Sequence, residues 1–111
     1  MDESDVLLYK NVRLHAVSRK VFIRNASIRL RNKEYSLLEY FMKNCGIVLS
    51  RTRLLEDVWD RNIICPTNTV DVHVSSLRHK LRKYANLVPI KTIHCIGYFF
   101  GEGKLLNNIL F

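Results

Sequence analysis

The chain has 111 residues, 48% of them hydrophobic, and a formal net charge of +8; this is enough to build one core and too little for two. No apolar run approaches the roughly 20 residues that a bilayer span needs, and the acidic MDESD start lacks the basic-then-apolar order of a signal peptide, so the default expectation is a cytoplasmic protein with no membrane partner. Cys45, Cys65 and Cys95 are odd in number and far apart; without CxxC or HxxxH spacing they are expected as reduced thiols, with no metal site and no cofactor.

Met1–Asp5 reads as a flexible N-terminus or linker remnant, and residues 6–101 as the domain. Val6–Tyr9 and Val12–His15, separated by Lys10-Asn11, read as short strands. Lys20–Arg24 and Ser27–Leu30, separated by Asn25-Ala26, complete a four-stranded antiparallel sheet with no chemistry of its own. Lys33–Asn44 carries Leu37, Leu38, Phe41 and Met42 on one helical stripe and ends at Cys45-Gly46. Its start has two candidates. Arg31 is a poor N-cap that puts Glu34 at the third helical position; Asn32 is a good one that shifts the start by a residue. Ile47–Leu49 reads as a connector, and Ser50 as the cap of a second helix, Arg51–Trp59. Residues 60–66 (DRNIICP) form a loop longer than that of a tight helix-turn-helix. Its Ile63-Ile64 has two readings: tucked under the third helix, or exposed to a protein partner.

Thr67 is the expected cap of a third helix running to about Tyr84. At about 100° per residue, Val70, Val74, Leu77, Leu81 and Tyr84 form its apolar stripe. Asn68, Val72, Ser75, Ser76, His79 and Lys83 point the other way, with His73 and Lys80 on one flank. A polar and basic face with one outward valine suits a major groove, where valine meets a thymine methyl and hydroxyl or imidazole meets base edges. The plain alternative is a solvated face. Between Thr67 and His94 the chain holds Arg78, Lys80, Arg82, Lys83 and Lys91 against the single acid Asp71, a footprint suited to phosphates. That face lacks the Trp, Phe or Leu anchors of an interfacial helix. A hairpin follows: Ile90–His94, a turn around Cys95-Ile96, and Gly97–Phe100, carrying Lys91, His94 and Tyr98. Residues 102–111 are a tail outside the domain, apolar over Leu105–Phe111. The order of elements is that of an α+β winged helix-turn-helix. No nucleophile–base pair, glycine-rich phosphate loop or paired carboxylates appear, so an enzyme is not expected.

Three ordered blocks, LRNKEYSLLEYFMKNCGIVLSRTRLLEDVW, NTVDVHVSSLRHKL and IKTIHCIGYFF, resemble the C-terminal effector domain of OmpR/PhoB-type bacterial response regulators over about Val6–Gly101. The resemblance implies sequence-specific binding of double-stranded DNA, with the third helix in the major groove and the wing in the adjacent minor groove. It implies that Val72, Ser75, Ser76 and His79, joined by Asn68, face bases. It puts Trp59, Thr69, His73, Arg78, Lys80, Lys83 and Lys91 near the DNA backbone, and His94 and Tyr98 on the wing's minor-groove face. It implies contact between the loop residues Asp60, Arg61, Asn62, Ile63 and Ile64 and RNA polymerase. Tandem direct repeats are the implied targets, bound by head-to-tail pairs of a chain that is monomeric when free. The departures are Ser75-Ser76 in place of arginines, His94 in place of an arginine, Cys95 in place of the turn glycine, and Arg31-Asn32 in place of Thr-Pro. They predict altered or weaker base preference, with backbone electrostatics supplying more of the affinity. These 111 residues leave no room for a receiver domain. A winged-helix protein-interaction module with weakened DNA readout is the alternative function.

Overall fold

A computed structural model describes residues 5–62, 64–66, 68–85 and 89–102, and the backbone of 105–106 and 109–110. Strands β1 (Val6–Tyr9), β2 (Val12–His15), β3 (Lys20–Ile23) and β4 (Ala26–Ile28) form an antiparallel sheet in sequence order. Alternation sends Val12, Leu14, Val21, Ile23 and Ile28 into the core. The β3–β4 turn is Arg24-Asn25, both at positive φ, with Ile23 paired to Ala26. This places the turn one residue earlier than Asn25-Ala26, and the two-residue hairpin loop favours such left-handed positions.

Helix α1 (Asn32–Lys43) starts at an Arg31 N-cap, whose backbone N–H donates to Glu34 Oε1 at 2.8 Å. The carboxylate at the third position thus settles the start in favour of the poorer cap residue. Its inner stripe buries Tyr35, Leu37, Leu38, Phe41 and Met42, and each fully buried leucine stabilises the fold by about 1.5–3 kcal/mol.

The expected connector after α1 contains a strand, β5 (Val48–Ser50). Ser50 also caps α2 (Arg51–Leu54), accepting from Arg53 N at 3.1 Å. The second helix then widens into a π-helical segment, Leu55–Asp60, and Lys33 Nζ donates to Val58 O there at 3.1 Å. Helix α3 (Thr69–Arg82) buries Val70, Val74, Leu77 and Leu81. Asn68 holds its N-cap position; Thr67, the expected cap, lies outside the described residues. Tyr84 does not belong to the buried stripe: it follows the end of the helix and is 40% exposed.

Strands β6 (Ile90–Ile93) and β7 (Gly97–Phe100) make the wing, and β5 joins them in the order β5-β7-β6. The wing is therefore three-stranded. A Cβ on Gly97 would lie 2.0 Å from Leu49 O, so this close β5–β7 approach requires glycine. At the far end of β7, the buried Phe100 stacks on Phe41 with ring centroids 6.2 Å apart and meets the Tyr9 ring edge-on at 4.8 Å, joining wing, α1 and N-terminal sheet. In the tail, β8 (Leu105–Leu106) pairs antiparallel with β9 (Ile109–Leu110). Among the described residues no helix is long and apolar enough to cross a membrane.

Candidate nucleic-acid interface

Because the stripe Val70, Val74, Leu77 and Leu81 faces the core, the opposite face of α3 is turned outward. Val72 is 57% exposed there, with Ser75, His79 and Lys83 exposed around it, Asn68 exposed at the N-terminal end and Arg82 exposed near the C-terminal end. Thr69 is half-buried in the first turn.

One flank of α3 is held by Glu34. This side chain is 1% exposed, and both of its carboxylate oxygens are occupied. Ser76 Oγ donates to Oε2, while Lys80 Nζ (2.5 Å) and the Arg31 amide (2.8 Å) donate to Oε1. Burial pushes the carboxyl up. The hydrogen bonds from Lys80, Ser76 and Arg31, with the Lys80 charge, outweigh it and hold the group below its ordinary value. Ser76, expected to face bases, and Lys80, expected near phosphates, are thus both bound by the same buried acid. Further along this flank, His73 Nδ1 donates to Thr69 O at 2.8 Å, and its ring meets half-buried Trp59 edge-on at 5.0 Å. The carbonyl only accepts, so the proton sits on Nδ1 and Nε2 remains for other partners. The Lys33 ammonium lies 5.8 Å from the Trp59 ring centroid.

The opposite flank is held by Asp71. It accepts from Arg51 Nε at 2.8 Å and from the Tyr98 hydroxyl. The Tyr98 bond, with help from Arg51, holds the Asp71 carboxyl below its ordinary value against the effect of burial. Burial and the same hydrogen bond push the Tyr98 phenol up. Tyr98 is only 4% exposed, and the guanidinium carbons of Arg51 and Arg78 lie 5.2 and 5.3 Å from its ring centroid. Tyr98, expected on the minor-groove face of the wing, is thus buried under it, where its hydroxyl serves Asp71. Half-buried Arg78 donates to Thr92 Oγ1 at 2.6 Å and so ties α3 to β6, on the flank away from Lys80.

At the wing tip, His94, Cys95 and Ile96 are exposed. Cys95 has φ 63°, and Ile96 N donates to Ile93 O at 3.0 Å, a turn whose third position suits glycine. Lys91 is half-buried on β6. In the loop after the second helix, Asp60, Arg61 and Asn62 are exposed, Asn62 N donates to Asp60 Oδ1 at 2.8 Å, and Arg61 lies 3.9 Å from Asp57. Ile64 is 100% exposed, which excludes the tucked reading for this residue. Ile63 lies outside the described residues.

Sequence reasoning missed Glu34, Arg51 and Asp71 as members of the site. A signal for Glu34 was available: it falls on the same stripe as Leu37, Leu38 and Phe41, and a carboxylate on a buried stripe requires partners.

The family model "Transcriptional regulatory protein, C terminal" matches residues 25–100. The sensory transduction protein RegX3 of Mycolicibacterium smegmatis is 40% identical over 88 residues, 78% of this chain and 39% of that protein. The transcriptional regulatory protein CusR of Escherichia coli K12 is 40% identical over 82 residues, 74% of this chain and 36% of that protein. Among solved structures, the response regulator DrrB of Thermotoga maritima, described as an OmpR/PhoB homolog, superposes with a TM-score of 0.78 at 26% identity, covering 88% of this chain and 45% of that one. The DNA-binding domain of the response regulator AdeR, solved in complex with an intercistronic region, superposes with a TM-score of 0.77 at 25% identity, covering 86% of this chain and 98% of that one. The chain thus spans about two fifths of the length of the curated relatives it matches.

Proposed function

Since this chain belongs to the family of C-terminal domains of transcriptional regulatory proteins and has the OmpR/PhoB winged-helix fold, we propose that it is the double-stranded-DNA-binding effector domain of a cytoplasmic bacterial two-component response regulator. In this reading α3 enters the major groove and the wing tip reaches the adjacent minor groove. Asn68, Val72, Ser75 and His79 meet base edges, with a thymine methyl under Val72. Trp59, Thr69, His73, Arg78, Lys83 and Lys91 lie along the backbone, and exposed Arg82 joins them. His94 takes the minor-groove position at the wing tip.

The observation that carries this reading is the exposed Val72 between Ser75 and His79 on a helix clamped along both flanks. An apolar side chain left in water on a rigid basic face gains from a groove that offers methyl groups and phosphates together. Selection of binding sites from random duplex DNA, with affinity followed over salt, tests it. The expected result is an enriched motif, in tandem copies about one helical turn apart. Steeply salt-dependent binding that selects no motif would overturn the sequence-reading part and leave only attraction to the phosphate backbone.

The fully exposed Ile64 supports a second contact, between the Asp60–Pro66 loop and RNA polymerase. An Ile64→Ser variant is expected to keep its DNA affinity and lose transcriptional output in a reconstituted assay. Unchanged output would remove the loop from this role.

A further inference from the structure

On the reading that α3 binds DNA, we infer that Glu34 is a positioning residue that withholds Lys80 and Ser76 from the nucleic acid and leaves Val72, Ser75 and His79 as the reading side chains within the helix. Three features carry this. Glu34 is 1% exposed, so its carboxylate has no water to fall back on. Each oxygen is already bound by the groups in question: Oε1 by Lys80 at 2.5 Å and by the Arg31 amide at 2.8 Å, Oε2 by Ser76. Finally, Ser76 and Lys80 lie one turn apart and are half-buried, whereas Val72, Ser75 and His79 are exposed.

Swinging Lys80 out to a phosphate would strand a buried carboxylate without its counter-charge. Breaking such a pair from one side is the costly direction, while a phosphate contact made in high dielectric returns little. Exposed Lys83 and Arg82 carry no comparable tie among the described residues and remain for the backbone. Glu34 therefore acts twice. It caps α1 through the Arg31 amide, and it sets the side of α3 that stays closed.

The dependence of affinity on salt counts the cations that DNA engages. With random duplex, the unsubstituted chain and Lys80→Ala are expected to give the same slope. Glu34→Gln, which keeps the shape but drops the charge, is expected to free Lys80 and steepen the slope by about 0.9, an additional three- to fourfold or so loss of affinity between about 50 and 200 mM salt. Adding Lys80→Ala to Glu34→Gln is expected to restore the original slope. A shallower slope for Lys80→Ala alone would overturn the inference, as would an unchanged slope for folded Glu34→Gln.

Acylation of lysines in the unsubstituted chain is independent of whether the variants fold. Lys80 is expected to be as protected without DNA as with it, while Lys83 becomes protected only on DNA. A Lys80 that reacts freely and is shielded by DNA would overturn the assignment. If the unsubstituted chain shows no salt-dependent binding at all, the DNA reading itself fails and takes this inference with it, an outcome distinct from an altered slope.

Discussion

At Gly97 the wing crosses Leu49 so closely that no side chain fits: an added Cβ would stand 2.0 Å from the Leu49 carbonyl oxygen. Gly97→Ala is therefore expected to push β7 off β5 and destabilise the domain by about 3 kcal/mol or somewhat more, the upper end of overpacking effects. Urea unfolding checks this, and a loss under about 1 kcal/mol would mean that the two strands are not held together. Cys95 is the converse case. It sits at φ 63°, where a side chain costs energy that glycine does not. Cys95→Gly is expected to be neutral or stabilising by about 0.5 kcal/mol, because relief of the left-handed strain outweighs the extra freedom of the unfolded chain by little. Thermal unfolding under reducing conditions reads the difference.

Among the elements, α3 depends on two carboxylates that bridge it to its neighbours, Glu34 from α1 and its own Asp71 toward Arg51 and Tyr98. Both are held below their ordinary values. A depressed carboxyl contributes stability at every pH above its unfolded value, about 4, and that contribution disappears as pH falls through the lower folded value. Urea midpoints followed from pH 7 to pH 3 are expected to drop below about pH 4, with a smaller drop in Glu34→Gln. Equal acid sensitivity in the two proteins would mean that Glu34 is not ionised in the fold. Tyr98→Phe removes one hydrogen bond to a charged acceptor and is expected to cost about 1.5–3 kcal/mol.

Most of these elements were legible from local pattern. Stripes such as Leu37-Leu38-Phe41 and Val70-Val74-Leu77, and the Ser50 cap, announce helices without reference to the rest of the chain. β5 was not legible, because three residues become a strand only when Tyr98 and its neighbours in β7, far along the sequence, pair with them. The burial of Tyr98 was not legible for a related reason: Asp71, Arg51 and Arg78, brought from other elements, cover it. The helical wheel found Val72, Ser75 and His79 as the outward face. It did not register that Glu34 reaches across from α1 to claim Ser76 and Lys80.

Taken whole, the molecule is a basic body of net charge +8 with one rigid helix face exposed and a wing beside it. On the proposed reading, that charge draws it to any duplex and gives steep salt dependence, and base preference comes from the few side chains on the front of α3. Sedimentation of the free chain at micromolar concentration is expected to give a monomer, with pairing only on tandem sites; a free dimer would contradict this. The decisive measurement is site selection from random duplexes by the unsubstituted chain and by Val72→Ala and His79→Ala in parallel. The predicted result is an enriched motif that loses or changes one position in each variant, with affinity for the original site reduced by about 1–3 kcal/mol. Recovery of the same motif by all three proteins would show that this face of α3 does not read the bases.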